Sequence, residues 1–411
     1  MPITPSTTRP YSMRWIVILG LLTALGPLSI DMYLPALPAM AKDLSVQTAQ
    51  VANSLPAYFL GLALGQLIYG PVSDRIGRKI PLYFGLSLFV LASLACALAN
   101  SIDVLLIARF FQALGGCVGV VMARAAIRDR LSMAESAQAY SMLMLVMGAA
   151  PILAPMLGSA LLLWTGWHGI FVLLLLSGLA CLLLIHFYFD ETLAVESRRK
   201  LSVGQVLSTY AELIKDHRFR TPALAGALLG AAMFAYISAS SELFIEQFGV
   251  SAQHFAWIFG FNAFGLIVLS QVNARLVKRM GVLRLLHLGA SMQSFGAIFL
   301  LCLALSGHSS LATSMFGLFF VVSGVGLTGA NATAIALAEQ GKRAGMASAL
   351  MGALQFGFGL LAGLLLYLLP YPLVLSMSIV MVILIGTGLI AVYVLRWRER
   401  RALPPTPPTG A

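Results

Sequence analysis

The positive charges of this chain lie almost entirely in every second gap between its long hydrophobic runs. Of the 26 lysines and arginines, only Lys42 lies in one of the other gaps, and only Arg109 lies deep inside a hydrophobic run. This alternation is typical of a protein that crosses a membrane many times, because basic residues remain on the cytoplasmic side. It excludes a soluble fold and predicts that both termini are cytoplasmic.

The hydrophobic runs are long enough to cross a bilayer, which requires about 20 mainly apolar residues. Only 10% of the 411 residues are charged, whereas a soluble protein is about 25% charged. The sequence predicts an all-α integral membrane protein with twelve transmembrane helices, here called spans one to twelve. They are predicted at 14–34, 50–72, 80–99, 103–126, 136–163, 168–189, 221–243, 252–276, 283–306, 311–336, 344–369 and 372–395.

The longest polar stretch divides these spans into two groups of six. It predicts an N-terminal half at 1–189, a cytoplasmic linker at 190–220, a C-terminal half at 221–396 and a cytoplasmic tail at 397–411. An amphipathic helix is expected within the linker, around residues 203–214. Two six-helix halves around a central cavity are a common plan for transporters, which bind substrate near the membrane midplane.

The two halves also share a short pattern that recurs 204 positions later in the chain. The matching pairs are Gly61 and Gly265, Arg75 and Arg279, and Gly77 and Gly281. Each set lies on the second span of its half and in the basic loop that follows. This placement indicates an internal repeat.

Nothing in the sequence indicates a cofactor, a metal or a nucleic acid partner. The four cysteines and six histidines are scattered without ligand-like spacing, and no phosphate-binding G-x-x-x-x-G-K-[ST] loop is present. Membrane topology and contact with anionic lipids explain the net charge of +11. We expect a monomer whose partners are membrane lipids, protons and a small amphipathic substrate.

The loop after span two reads GPVSDRIGRK from Gly70 to Lys79. It resembles the G-x-x-x-D-R-x-G-R-K/R signature of the major facilitator superfamily, and a generic cytoplasmic loop would not require this spacing of glycine, acid and base. Its glycines permit close packing, while its acid and bases can pair with neighbouring helix ends. The predicted gating residues are Gly70, Asp74, Arg75, Gly77, Arg78 and Asp129.

Spans four and five carry two further patterns that resemble the same superfamily. In span four, Arg109 and Gln112 match an R-x-x-Q-G motif, although its glycine is displaced to Gly115. An arginine inside a span faces a cavity or a partner, so Arg109 either faces the cavity or pins a contact between helices.

Span five resembles the superfamily's antiporter motif. Its two prolines, Pro151 and Pro155, are one turn apart and are expected to bend the helix. Gly158 is kept, while Ala154 and Ser159 replace two glycines of the motif and preserve the small size that close helix packing requires. Within the superfamily this motif implies export by antiport.

Span one ends in DMYLPALP, which begins at Asp31. With the segments NATA from Asn331 and ASALMGALQ from Ala347, it resembles the Bcr/CflA branch of the twelve-span drug:proton antiporters, known for bicyclomycin and chloramphenicol resistance. The resemblance implies that Asp31 and Arg109 couple transport to protons. Asp31 lies about 25 Å along the helix from Arg14, so an interaction with Arg109 across the cavity is geometrically possible. The alternative is an interfacial carboxylate that caps a helix end.

The sequence therefore predicts a proton-coupled efflux antiporter of the bacterial inner membrane that works by alternating access. An uptake symporter for a small metabolite is the alternative, and a membrane enzyme is disfavoured because no paired carboxylates or nucleophile motif is present. Six polar side chains in the spans are candidates for substrate binding. They are Tyr33, Tyr58, Gln112, Tyr236, Asn262 and Gln355.

Overall fold

The computed structural model describes residues 13–198 and 202–402, and these residues form helices and loops without a strand. The predicted tail from residue 403 onward and linker residues 199–201 lie outside the described residues. The long helices are Met13–Asp31, Ser54–Ile76, Lys79–Ala97, Ile102–Arg130, Met133–Tyr188, His217–Ser241, Ala252–Met280, Val282–Ser306, Leu311–Leu337, Ala344–Leu368 and Leu373–Ala402. The fifth of them contains spans five and six, and the others are the remaining spans in order.

Eleven helices of the described chain are long and apolar enough to cross a membrane, and one of them must cross twice. Its apolar part, Val146–Tyr188, has 43 residues. At 1.5 Å per residue it would be about 65 Å long, roughly twice the thickness of the hydrocarbon core. The helix breaks at Gly166, where φ is 68° and ψ is −174°. This break separates span five from span six and confirms the prediction of twelve spans.

The two halves meet along two pairs of long helices. Span two packs along span eleven, and span five packs along span eight. Aromatic rings join the halves between spans two, seven and eleven, where the Phe59 ring centroid is 4.6 Å from that of Phe234, and Phe234 is 5.5 Å from Phe356. These contacts hold the outer halves of the spans together.

Short helices add a second connection on the outer side. Helices Leu37–Asp43 and Thr48–Ala52 lie between spans one and two, and a π-helix at Glu242–Gln247 extends span seven. The Thr48 hydroxyl donates a hydrogen bond to the Glu246 carboxylate, which belongs to the other half. This hydrogen bond links the two halves at the end of the bundle expected to be outer.

The linker contains a helix at Val203–Lys215, which confirms the amphipathic helix expected there. Its Tyr210 hydroxyl donates to the Leu67 carbonyl of span two at 3.0 Å. Tyr210 and Leu213 are buried in a cluster that includes Leu350 of span eleven. The linker helix thus lies across the seam between the two halves on the side expected to be cytoplasmic.

The repeated glycines have equivalent structural roles in the two halves. A Cβ on Gly61 would lie 2.3 Å from a backbone oxygen of span four, and a Cβ on Gly265 would lie 2.1 Å from a side-chain oxygen of span ten. Gly77 and Gly281 both end their spans with positive φ, at 101° and 81°. The same packing and the same helix end are therefore built twice.

We predict that Gly166→Ala destabilises the protein by about 1–3 kcal/mol, because an alanine is strained at this φ and ψ. Thermal unfolding of the purified protein in detergent would measure the effect. Gly386→Ala is the matched control, since no atom lies within 4 Å of its Cβ position and alanine favours a helix interior. Equal melting temperatures for the two variants would contradict the assignment of the break to Gly166.

Candidate functional site

A buried arginine organises the outer part of the N-terminal half. Arg109 of span four has no exposed surface. One of its terminal nitrogens donates to Gln112 Oε1 at 2.6 Å, and the other donates to the Ser29 carbonyl of span one at 2.9 Å. The guanidinium carbon lies 4.3 Å from the centre of the Tyr33 ring and 4.2 Å from that of Tyr58. Both distances allow cation–π attraction.

The partners of Arg109 are themselves hydrogen bonded within the same half. Gln112 donates to the Ser93 hydroxyl of span three at 2.8 Å, and the hydroxyls of Tyr33 and Ser54 are 2.9 Å apart. Gln112, Tyr33 and Tyr58 are fully buried. The structure thus places three of the six candidate substrate residues in the packed interior around Arg109, which itself takes the role of a contact between helices.

Asp31 lies at the end of span one and has a different environment from Arg109. It is 4% exposed and is the only buried acidic residue in the part of the chain that the structure describes. Its Oδ1 has no hydrogen-bond partner there. None of the four ion pairs among the described residues joins Asp31 to Arg109. The structure therefore does not bring these two residues together as an ion pair.

The neighbour of Asp31 is instead in the C-terminal half. The Tyr236 hydroxyl of span seven interacts electrostatically with the Asp31 carboxylate, and it accepts a hydrogen bond from Asn262 Nδ2 of span eight at 3.1 Å. Asn262 Oδ1 is buried without a partner among the described residues. Tyr236 and Asn262 are thus hydrogen bonded to each other in the C-terminal half, and the Asp31 carboxylate of the N-terminal half lies within electrostatic range of this pair.

Two other candidates lie close to this region. A Cβ on Gly158 of span five would lie only 1.7 Å from the carbonyl oxygen of Met32, the residue after Asp31. Only glycine lets span five approach span one so closely beside the carboxylate. The helix continues through Pro151 and Pro155. Gln355 of span eleven lies against Gly230 of span seven.

The loop between spans two and three forms a second polar cluster at the opposite end of the bundle. Arg78 is 2% exposed and donates to Asp74 at 2.6 Å, to Asp129 at 2.8 Å and to the Ser73 hydroxyl at 2.6 Å. Burial would lower the pKa of Arg78, but hydrogen bonds and charges from Asp129 and Asp74 outweigh it and raise the pKa. Arg75 is exposed, so Arg78 is the base that joins the two acids.

Glu191 belongs to this cluster and was not among the predicted residues. Its carboxylate accepts hydrogen bonds from the backbone N–H groups of Arg78 at 2.9 Å, Lys79 at 3.2 Å and Leu193 at 3.0 Å. Burial would raise the pKa of Glu191, but these bonds outweigh it and lower the pKa. A Cβ on Gly77 would lie 2.4 Å from Glu191 Oε2. The sequence offered one signal for Glu191, since it is an acid just after span six, on the same side of the membrane as the basic loop between spans two and three.

The loop cluster borders a cavity of about 270 Å³ between the halves. Asp74, Arg78 and Arg128 line one side, and Gly341 and Gly345 at the start of span eleven line the other. The first turn of a helix carries a partial positive charge that attracts acids. Asp74 is therefore placed where it can attract the C-terminal half. Gly70 also faces that half, since its Cβ position is 3.9 Å from Ala349.

Comparison with known proteins gives a consistent match over most of the chain. The profile of the Major Facilitator Superfamily matches residues 19–365. The MFS-type transporter YdgK of Bacillus subtilis (strain 168) is 38% identical over 83% of this chain and 85% of its own length. The bicyclomycin resistance protein homolog of Haemophilus influenzae is 31% identical over 85% of this chain and 87% of its own length. The multidrug resistance protein MdtL of Escherichia coli is 29% identical over 83% of this chain and 85% of its own length.

Solved structures with the same fold are more distant in sequence. The human organic anion transporter MFSD10 (TETRAN) superposes with a TM-score of 0.69 over 93% of this chain and all of its own, at 16% identity. A D-xylose–proton symporter superposes with a TM-score of 0.70 over 92% of this chain and 97% of its own, at 13% identity.

We predict that Arg109→Lys destabilises the protein almost as much as Arg109→Ala does. Lysine lacks the planar fork that bonds two acceptors while its faces contact two rings, and each buried group left unpaired costs about 1–3 kcal/mol. Thermal unfolding in detergent would measure both variants against Arg220→Lys, which changes an exposed arginine. An Arg109→Lys protein with the same melting temperature as the parent would contradict the predicted destabilisation.

Proposed function

The chain belongs to the major facilitator superfamily of membrane transporters, and we propose that it is a proton-coupled antiporter that exports small amphipathic compounds across the bacterial inner membrane. It is therefore a transporter and not an enzyme. Relatives named for bicyclomycin and multidrug resistance support the export of drug-like molecules.

The environment of Asp31 is the observation on which proton coupling depends. A buried carboxylate without a hydrogen-bonded or charged partner is costly when ionised, so its charge state depends strongly on its surroundings. Asp31 lies within electrostatic range of Tyr236 in the second half. Protonation would remove the charge and add a donor at the contact between the halves, and substrate binding would favour loss of the proton. Asp31 is thus the proposed site of exchange.

Arg109 acts in this proposal through position and not through a proton. Its bonds to Ser29 and its contacts with the rings of Tyr33 and Tyr58 fix the end of span one on both sides of Asp31. Because Asp31 is held in place within the first half, its surroundings change only when the second half moves. Alternating access requires such a link between the position of the second half and the charge state of the carboxylate.

The loop cluster is the proposed inner gate, on the cytoplasmic side. Its acids and bases lie at the end of the bundle where the basic residues accumulate, so both chain termini are proposed to be cytoplasmic as well. Asp74 and the start of span eleven border the same cavity. Their attraction would favour inner closure when the outer side opens.

We expect Asp31→Asn to abolish proton-driven transport while leaving downhill exchange, because asparagine keeps the size of the side chain and cannot titrate. Rhodamine 6G, a cationic amphipathic dye, is a suitable probe in proteoliposomes under an imposed pH gradient. Accumulation against the dye gradient should fall to background, and exchange of labelled for unlabelled dye should continue.

Asp103→Asn is the control, because Asp103 is an exposed acid at the start of span four. It should transport like the parent. Uphill transport by Asp31→Asn would exclude Asp31 as the coupling site. If dye accumulated in the same direction as protons, the protein would be a symporter.

Asp74→Asn is expected to weaken inner closure and slow turnover with little change in dye affinity. A partly buried charged contact is worth about 1 kcal/mol, which changes a two-state population about fivefold. Distances between spin labels at the exposed positions 80 and 279 on the two halves would show a shift toward the inward-open state.

Asp190→Asn removes an exposed acid from the neighbouring segment and serves as the control. Its distance distribution should match that of the parent. If the Asp74→Asn distribution also matched the parent at acidic and neutral pH, the gate assignment would be wrong.

A further inference from the structure

A second arginine of span four has an environment opposite to that of Arg109. Arg124 lies 15 residues further along the helix, or about 22 Å toward the cytoplasmic end. Its side chain is exposed to solvent. Its electrostatic neighbours, Tyr140 and Cys117, both belong to the N-terminal half.

The charge of Arg124 is not compensated within the described residues. Its guanidinium takes part in none of their hydrogen bonds, and their ion pairs involve Arg78, Arg218 and Arg343 instead. Its electrostatic neighbours there are Tyr140 and Cys117 and include no carboxylate. The nearby Asp129 is bonded to Arg78. An arginine remains protonated in a protein, so Arg124 presents a full positive charge to solvent.

The helix geometry directs Arg124 toward the second half. Arg128 is one turn further along the same face, and its guanidinium lies 3.2 Å from the Cβ position of Gly345 in the C-terminal half. Phe111, an exposed residue of span four, is 13 residues before Arg124. At 100° per residue the two side chains point about 140° apart. Arg124 therefore lines the space between the halves, one turn deeper than the loop cluster.

We propose that Arg124 is a binding site for an anionic group, such as a carboxylate or phosphate, and that the exported compounds include organic anions. This rests on the proposed transport function and assigns its substrate class. A guanidinium binds a carboxylate or phosphate through two parallel hydrogen bonds. The guanidinium of Arg124 has no acceptor among the described residues, and an anionic substrate arriving from the cytoplasm would supply one.

Lipid phosphate offers the same chemistry as a substrate anion. The substrate is the assigned ligand because the side chain faces the space between the halves, whereas lipid headgroups lie around the outside of the bundle. A test must therefore separate the two sources.

Binding of two xanthene dyes to the purified protein in nanodiscs provides the test. Carboxyfluorescein carries carboxylates, and rhodamine 6G carries an ester and a positive charge on a similar ring system. Fluorescence polarisation should show that Arg124→Ala and Arg124→Gln each weaken carboxyfluorescein binding about tenfold or more. Rhodamine 6G affinity should change less than twofold. Arg124→Lys should retain part of the carboxyfluorescein affinity.

Arg220→Ala removes an exposed arginine on the same side of the membrane and should leave both affinities unchanged. The proposal is overturned if the parent binds carboxyfluorescein no better than Arg124→Gln does, or if both dyes lose affinity equally in a variant that melts with the parent. Since the Gln variant keeps most of the side-chain length, it covers the case in which the Ala variant fails to fold.

Nanodiscs of pure phosphatidylcholine and nanodiscs with added phosphatidylglycerol separate the two anion sources. The expected result is equal carboxyfluorescein affinity in both. A loss of affinity with phosphatidylglycerol that disappears in Arg124→Gln would assign the site to lipid and overturn the proposal. The proposed antiport fails separately, if rhodamine 6G transport in proteoliposomes does not respond to a pH gradient.

Discussion

The interactions of one guanidinium fix the geometry of the first half of this transporter. Arg109 reaches a carbonyl of span one, the rings of Tyr33 and Tyr58, and Gln112, which in turn reaches span three. No water is present in the bilayer core to solvate such a charge, so protein groups must stabilise it. Its two terminal nitrogens are hydrogen bonded, and its Nε has no partner among the described residues. The same bonds hold the end of span one, and with it Asp31, at the face of the second half.

Three arginines of the N-terminal half show how pairing separates structural charges from functional ones. Arg109 is fully buried and contacts acceptors and rings within its own half. Arg78 joins two acids at the inner end of the bundle, where the charges can attract the other half. Arg124 is exposed one turn before Arg128 and has no acceptor among the described residues. These environments support the roles of scaffold, gate and proposed anion site.

The sequence was sufficient for the features that depend on local composition. Hydrophobic length and basic loops predicted twelve spans, and the recurring glycines and arginine indicated an internal repeat, which the structure shows as the same helix packing in the two halves. The roles of Tyr33, Tyr58 and Gln112 were harder to predict, because a span that is apolar all around does not reveal which face meets a cavity. Glu191 was missed because it binds backbone N–H groups, two of them more than 100 residues earlier in the chain, and no side-chain type marks a backbone partner in the sequence.

If substrate exchanges for a proton on Asp31, then binding of the substrate alone must release protons from the protein. Rhodamine 6G would be added to the purified protein in weakly buffered detergent solution near neutral pH, with a pH indicator present. We expect release of about one proton per bound dye from the parent protein and none from Asp31→Asn. Binding of the dye to the parent without any proton release would contradict the exchange of a proton for substrate at Asp31.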